Sequence, residues 1–316
     1  MGSLRCSAAP SIWATYAPNL SPRLPALTLL QALFMGLLQG ATELFPVSSL
    51  GHSVLIPSLL HWSFKQSDPS FVPFLVLLHL GTASALLVLY RDQWVAIIRG
   101  FFAAALRGSI RTDDERLAML LLVGTIPAAI LGVFLESRIK ALFASPYEAA
   151  GFLIANGVLM LSFELLRRRA ERRAALDTAP RAEQEEGFAQ AERISFRAAA
   201  LVGACQALAF LPGISRSGVT IGGGLLSGLR HQEAARFSFL LATPVILGAG
   251  VLEVPQLLTS GVPIAEYLAA TVLSGIAAYA SARFLLRYFR SGRLDPYGWY
   301  CIAAGAVSLA LLRLNL

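Results

Sequence analysis

Long apolar stretches alternate with short polar segments along the chain from residue 26 onward. A membrane-spanning helix needs about 20 mainly apolar residues, and several of these stretches approach or reach that length. The pattern therefore predicts an all-α integral membrane protein. The apolar stretches lie at 26–45, 53–60, 71–90, 94–106, 117–135, 148–166, 198–211, 219–229, 237–258, 264–286 and 297–314.

Two polar clusters interrupt the apolar pattern. The first reads QGATELFPVSSLGH at 39–52, and the second reads LPGISRSGVTI at 211–221. The apolar stretches that follow them, 53–60 and 219–229, are too short to span a membrane alone. Each cluster contains a Pro, a Gly and several hydroxyls, which favours a broken or re-entrant helix. Non-helical backbone at membrane depth is tolerated only where protein or a water-filled cavity surrounds it.

The two clusters also resemble one another, which indicates an internal repeat. Repeated halves with broken helices are typical of inverted-repeat membrane proteins, whose site lies at the repeat interface. We therefore predict two inverted-topology repeats, at 26–166 and 198–316, joined by a charged cytoplasmic loop at 167–197. Residues 1–25, rich in Ser and Pro, are interpreted as a disordered N-terminal extension. The matching residues are Gln39, Phe45, Pro46, Ser48 and Ser49 in the first half and Gln206, Leu211, Pro212, Ile214 and Ser215 in the second.

Composition and charge exclude several classes of protein. The chain has 316 residues, of which 56% are hydrophobic and only 14% charged, whereas soluble domains are about 25% charged. The net charge of +7 is explained by Arg-rich loops at 91–116, 167–197 and 287–293, which the positive-inside rule places in the cytoplasm. The two polar clusters then meet near the outer face. No basic stripe with interleaved aromatic residues occurs, so no nucleic-acid partner is expected.

The second cluster has the composition of an anion site. Arg216 can bind phosphate oxygens bidentately, and a helix that starts near Gly218 would direct its N-terminal N–H groups at the same anion. Ser215, Ser217 and Thr220 add hydroxyl donors. We predict a phosphate or carboxylate site here. The alternative is a capped helix with an Arg side chain that extends to the membrane surface.

The first cluster supplies complementary groups. Gln39 and Glu43 lie four residues apart on one helix face and could hold a divalent cation, Mg²⁺ or Ca²⁺, together with substrate phosphates. Ser48 and Ser49 are candidate nucleophiles or phosphate donors. His52 could protonate the leaving phosphate, activate Ser49 or water, or attack phosphorus itself. These alternatives stay open at the level of sequence.

Four other polar residues are harder to interpret. His79 could support the site or be a satisfied buried histidine, and the structural interpretation is favoured. Glu164 and Glu253 lie near segment ends, so we expect them at the membrane interface. Ser238 could face the site, although nothing in the sequence requires it.

The motifs resemble those of the undecaprenyl pyrophosphate phosphatase family, also called the bacitracin-resistance protein family. Further matches are HLGT at 79–82, IPAAILG at 126–132 and FSFLLATP at 237–244. In this chain Gln39 stands where many members have Glu. The motif residues are Gln39, Glu43, Pro46, Val47, Ser48, Ser49, Gly51 and His52 in the first cluster and Pro212, Gly213, Ser215, Arg216, Ser217, Gly218 and Thr220 in the second.

The resemblance implies a bacterial inner-membrane enzyme whose active site faces the periplasm. It would remove one phosphate from undecaprenyl pyrophosphate, recycle the carrier lipid for cell-wall synthesis and confer bacitracin resistance. It would depend on a divalent cation and use Glu43, Ser49, His52 and Arg216 in catalysis. Its partners would be the polyprenyl pyrophosphate lipid and the bilayer, and a homodimer is compatible with this interpretation.

Two other functions compete with this one. Membrane phosphatases of the phosphatidic-acid type use PSGH and SRxxxxxH segments, but the required downstream His would fall on Gly222, which counts against them. A lipid-phosphate transporter or flippase would also use broken helices and Arg216. A transporter has less need for Glu43, Ser49 and His52 together, and phosphate release in detergent would separate the two functions.

Overall fold

The computed structural model describes residues 27–64, 68, 70–142, 145–177, 190–259 and 264–314. Two short 3₁₀ turns, Ala191–Arg193 and Gln206–Phe210, flank one of the shorter helices. The predicted N-terminal extension, 1–25, lies outside the described residues. The α-helices of the described part are α1 Leu29–Thr42, α2 Ser49–Leu59, α3 Phe71–Leu89, α4 Arg91–Arg107, α5 Asp113–Leu142, α6 Pro146–Asp177, α7 Phe196–Cys205, α8 Arg216–Leu226, α9 His231–Thr259, α10 Ile264–Tyr288 and α11 Asp295–Leu314.

Six helices of the described part are long and apolar enough to cross a membrane, namely α3, α5, α6, α9, α10 and α11. The apolar helix α1 and the apolar segment formed by α7 and its 3₁₀ turn are shorter. The prediction of an all-α, multi-pass membrane protein is confirmed. The segment predicted as a cytoplasmic loop starts within a helix, because α6 continues through Arg167 to Asp177. Residues 178–189 of that segment lie outside the described residues.

The first polar cluster breaks a helix, as predicted. Helix α1 ends at Thr42, and α2 begins at Ser49 after the Phe-Pro dipeptide. Ser48 caps α2 with a left-handed backbone, φ 65°, and its hydroxyl accepts a hydrogen bond from the Gly51 N–H. The cap fixes where α2 starts and brings the two serines of the motif to the break.

The second cluster breaks the chain in a similar way. The 3₁₀ turn after α7 ends at Phe210, and α8 begins at Arg216 with Ser215 as its N-cap. Gly213 has φ 115°, a conformation that favours glycine. A Cβ atom on Gly213 would lie 2.4 Å from the carbonyl oxygen of Ala149 on α6. The glycine therefore lets the second break pack directly against α6.

The helix pairs of the two halves correspond. Helix α1 of the first half packs along α10 of the second, and α7 of the second half packs along α5 of the first. Both contacts are close, because Gly36 lies against Ala270 and Gly203 lies against Gly124, as is typical of small residues between membrane helices. Helix α3 meets α9, and α6 meets α11. This pairing suits two repeats, whose inverted orientation stays a prediction.

Candidate active site

The two helix breaks meet at a cavity of about 180 Å³. The apolar part of its wall includes side chains from α3, α5 and α9, such as Val76, Ala128 and Ile246. The two sequence clusters, which are about 170 residues apart, thus form one site, as the sequence predicts. The polar lining residues are Glu43, Ser48, Ser49, His79, Gln206, Ser215 and Arg216.

Glu43 lies at the centre of this site, at the C-terminal end of α1. Its Oε2 accepts hydrogen bonds from Gln39 Nε2 at 2.9 Å and from Ser49 Oγ at 2.5 Å. His79 Nε2 lies 3.1 Å from the same oxygen, and Arg216 Nη2 donates to Oε1 at 2.9 Å. The side chain is only 4% exposed. A buried carboxylate needs such partners because burial removes its hydration, and here they come from both halves of the chain.

Arg216 has hydrogen-bonding capacity left over. It is the first residue of α8 and lines the cavity. One guanidinium nitrogen, Nη2, donates to Glu43, whereas Nη1 is buried and has no hydrogen-bond partner among the described residues. A buried donor without a partner is costly, and the N-terminus of a helix favours a negative charge. The position of Arg216 therefore suits an anionic ligand in the cavity.

The residues predicted to bind substrate divide into two groups. Ser48 and Ser215 line the cavity, whereas Ser217, Gly218 and Thr220 are not part of its wall. The hydroxyl of Ser217 donates to the Phe45 carbonyl at 2.9 Å and so connects the two breaks. The hydroxyl of Thr220 donates to the carbonyl of Arg216 and lies 2.5 Å from Ser238 Oγ. Ser217 and Thr220, with Ser238, therefore stabilise α8 and do not line the cavity.

Of the two histidines near the site, His79 lines the cavity and His52 does not. His52 is not part of the cavity wall: its Nδ1 lies 2.7 Å from the Ser48 carbonyl, and its Nε2 lies 2.8 Å from the Tyr300 hydroxyl. His79, for which the structural interpretation was favoured, lines the cavity beside Glu43. Its Nδ1 lies 2.7 Å from the Leu75 carbonyl, so Nδ1 is the donor to that oxygen and Nε2 faces Glu43.

Asn156 is a residue that the sequence analysis missed. Its side-chain amide donates from Nδ2 to the Pro46 carbonyl at 3.1 Å and accepts at Oδ1 from the Ser215 N–H at 2.9 Å. One buried side chain on α6 thus bonds to both breaks. The available signal was a single Asn within the apolar stretch 148–166, since polar groups at membrane depth are rare and functional.

The described residues do not form a preassembled metal site. They contain no group of three His, Cys, Asp or Glu side chains that could hold a metal ion. Both oxygens of Glu43 are engaged by donors, one of them a guanidinium. Gln39, predicted as the second ligand, is not part of the cavity wall, and its side-chain Nε2 donates a hydrogen bond to Glu43. The Oε1 of Gln39 is buried without a hydrogen-bond partner among the described residues, so it keeps the capacity to bind a cation, and the divalent cation stays a prediction.

Comparison with known proteins gives one consistent result. Residues 32–307 match the family model described as bacitracin resistance protein BacA. An undecaprenyl-diphosphatase of Acidiphilium cryptum is 47% identical over 294 residues, which cover 90% of this chain and 99% of the relative. One from Mycolicibacterium paratuberculosis is 45% identical over 302 residues, covering 92% and 99%. A Chromobacterium violaceum protein named undecaprenyl-diphosphatase 2 is 45% identical over 286 residues, covering 89% and 97%.

The family match covers both helix breaks, α6 with Asn156 and the whole cavity wall. The residues that form the site are therefore inside the region of similarity, whereas the predicted N-terminal extension lies outside it. The chain belongs to the bacitracin resistance protein BacA family.

Proposed function

We propose that this protein is a membrane hydrolase that converts undecaprenyl pyrophosphate into undecaprenyl phosphate and inorganic phosphate. The names of its relatives support this activity, which recycles the carrier lipid for cell-wall synthesis and fits bacitracin resistance. The observation that carries the proposal is the free Nη1 of Arg216, buried beside the Glu43–Ser49 pair at a cavity. It provides a place for a phosphate oxygen next to a candidate nucleophile.

The substrate binds in two parts in this proposal. The diphosphate contacts Arg216 and the N-terminus of α8, where guanidinium and helix dipole both favour negative charge. The first isoprene units contact the apolar wall, which includes Val76, Ala128 and Ile246. Phosphoryl transfer depends largely on such positioning and on charge stabilisation, so the cavity supplies most of what the reaction requires.

Ser49 attacks the terminal phosphorus in this proposal. Its hydroxyl already donates to Glu43 Oε2 at 2.5 Å, so the carboxylate can take the proton as the new Oγ–P bond forms. The bond from that phosphorus to the bridging oxygen breaks, and undecaprenyl phosphate leaves. Water then hydrolyses the phosphoserine and releases inorganic phosphate. Gln39 and His79 hold the carboxylate in place.

The expected divalent cation, Mg²⁺ or Ca²⁺, is proposed to enter as a complex with the diphosphate. Mg²⁺ usually keeps several waters and binds through substrate phosphates and few carboxylates, which suits a site whose single carboxylate is already engaged.

We further propose the inner membrane as the location, with the cavity toward the periplasm. The Arg-rich segments are expected in the cytoplasm, and they lie outside the two helix breaks that form the cavity. A homodimer is compatible with this proposal, and the mass of the detergent-solubilised protein tests it.

Phosphate release from undecaprenyl pyrophosphate by the purified protein in detergent tests the function, with Mg²⁺, with Ca²⁺ and with chelator. Arg216→Ala and Glu43→Gln are expected to lower the rate by roughly 10²–10³-fold, because the first removes the guanidinium that stabilises charge on the transferring phosphoryl group and the second removes the carboxylate that takes the Ser49 proton. Arg283→Ala is the control, since Arg283 is exposed on α10 and lies over the Tyr279 ring.

Full activity in both site variants would contradict the proposed mechanism. Absence of release from folded wild-type protein with either cation would instead favour the lipid-phosphate transporter, which the broken helices also suit. Translocation of the lipid in sealed vesicles would then be the measurement to make.

A further inference from the structure

A second cavity, of about 310 Å³, lies among α6, the start of α9 and the segment that follows α10. We infer that it binds a phosphate group, either free inorganic phosphate or the headgroup of a lipid phosphate monoester. Five of its eight lining residues are basic and none is acidic. The lining residues, here called the basic pocket, are Arg167, Arg230, His231, Phe289, Arg290, Ser291, Gly292 and Arg293.

The basic pocket is separate from the active site. Helix α6 connects the two, with Asn156 at the helix breaks and Arg167 at the basic pocket. At about 1.5 Å of rise per residue, these two positions are about 16 Å apart along the helix. The two cavities share no lining residue. An anion in the basic pocket would therefore not occupy the position proposed for the substrate diphosphate.

Several donors of the basic pocket have no acceptor. The side chains of Arg290 and Arg293 are exposed and form no ion pair or hydrogen bond within the part of the chain that the structure describes. The Nε of Arg167 is buried and also has no partner among the described residues. Guanidinium groups pair with phosphate in a bidentate geometry, so the free donors match the oxygens of this anion.

The buried carboxylate nearest to the pocket is already neutralised. Glu164 is fully buried within the protein, and its expected depth at the membrane interface stays a prediction. Its oxygens lie 2.9 Å from His231 Nε2, 3.4 Å from Arg167 Nη2 and 3.3 Å from Arg168 Nε. Glu164 therefore offsets the charge beneath the pocket, while Arg290 and Arg293 are left without a described counterion.

Two further features favour a phosphate over a neutral ligand. His231 is the first residue of α9, a helix of 29 residues, whose dipole adds positive potential at its N-terminus. The segment 287–293 is one of those that the sequence places in the cytoplasm, and basic pockets between membrane helices on that side bind lipid phosphate headgroups. Phe289 supplies an apolar wall against which the start of an acyl or prenyl chain could lie.

Binding is tested in an Arg216→Ala background, so that the active site contributes little anion affinity. One probe is inorganic phosphate, measured by calorimetry on the full chain in detergent. The other is phosphatidic acid, counted against phosphatidylcholine as adducts by native mass spectrometry. Arg290→Gln with Arg293→Gln is compared with Arg283→Gln, an exposed Arg of α10 outside the pocket. We expect the double variant to bind at least one probe roughly tenfold more weakly, since it loses two charge-assisted contacts.

Loss of affinity for phosphatidic acid alone would assign a lipid headgroup, and loss for inorganic phosphate alone would assign the free anion. Loss for both would establish a phosphate site open to either source. Equal binding by the double variant and the control, or no binding of either probe by the parent protein, would overturn the inference. Phosphate release by the double variant in the native Arg216 background is expected to stay unchanged, so failure of the proposed hydrolase function would be recognised separately.

Discussion

At the scale of single residues, the carboxylate of Glu43 organises the site. Three of the four residues predicted to be catalytic, Glu43, Ser49 and Arg216, are in direct contact. The fourth, His52, contacts the Ser48 carbonyl and the Tyr300 hydroxyl. We therefore expect His52 to act as a positioning residue that holds the start of α2, where Ser48 and Ser49 lie.

Two substitutions of His52 separate positioning from proton transfer. His52→Ala should lower phosphate release strongly, because the Ser48 carbonyl loses its side-chain donor and keeps only the backbone N–H of residue 52. His52→Asn should keep a large part of the activity, since its amide can donate from about the position of Nδ1. Rates of phosphate release from purified proteins of equal thermal stability make the comparison. Equal inactivity of the two variants would instead support His52 as a proton donor or nucleophile.

At the scale of elements, the two helix breaks bring their serines and Arg216 to the cavity. A capped helix begins after each break: Ser48 is the N-cap of α2, and Ser215 is the N-cap of α8. The second break also needs Gly213, which combines φ 115° with close contact to the backbone of α6. The shape of the break therefore depends on one residue without a side chain.

Gly213→Ala is expected to destabilise the protein by about 2–4 kcal/mol, because both the left-handed conformation and the contact with the Ala149 carbonyl become strained. Gly151→Ala is the matched control on α6, where an added Cβ would have no atom within 4 Å. That control should be neutral or slightly stabilising, since Ala favours a helix over Gly. Thermal unfolding in detergent measures both, and equal stability of the two variants would contradict this account.

At the scale of the whole molecule, the two halves are joined at the site by a small number of polar contacts. Asn156 bonds to the Pro46 carbonyl in the first half and to the Ser215 N–H in the second. The hydroxyl of Ser217 adds a contact to the Phe45 carbonyl. The relative position of Glu43 and Arg216 therefore depends on α6 as well as on the breaks themselves.

Asn156→Ala should lower stability by about 1–3 kcal/mol, because the buried Ser215 N–H loses its acceptor and the Pro46 carbonyl keeps only the long contact with Cys301 Sγ. It should also lower the rate of phosphate release, since the two breaks are no longer held together. Ser162→Ala is the control on the same helix, where the Ser162 hydroxyl donates to the Val158 carbonyl. Thermal unfolding and initial rates are measured in the same detergent. Wild-type values in the Asn156 variant would show that the bridge has no such role.

The sequence by itself determined the class of the protein, the two helix breaks and most of the residues at the site. These follow from local physics: long apolar stretches require a membrane, and Pro, Gly and charged groups at membrane depth require a break and a cavity. Glu43, Ser49 and Arg216 could be identified because they lie within those breaks.

Only the tertiary structure decided which histidine faces the cavity and what joins the two halves. His52 belongs to the first polar cluster and His79 to an apolar stretch. The rotation of α2 and α3 about their axes, which packing sets, nevertheless turns His79 toward Glu43. Asn156 and the basic pocket were hidden for the same reason. Their contacts join residues far apart in sequence, such as Arg167 and Arg293, and no local pattern specifies a distance across the fold.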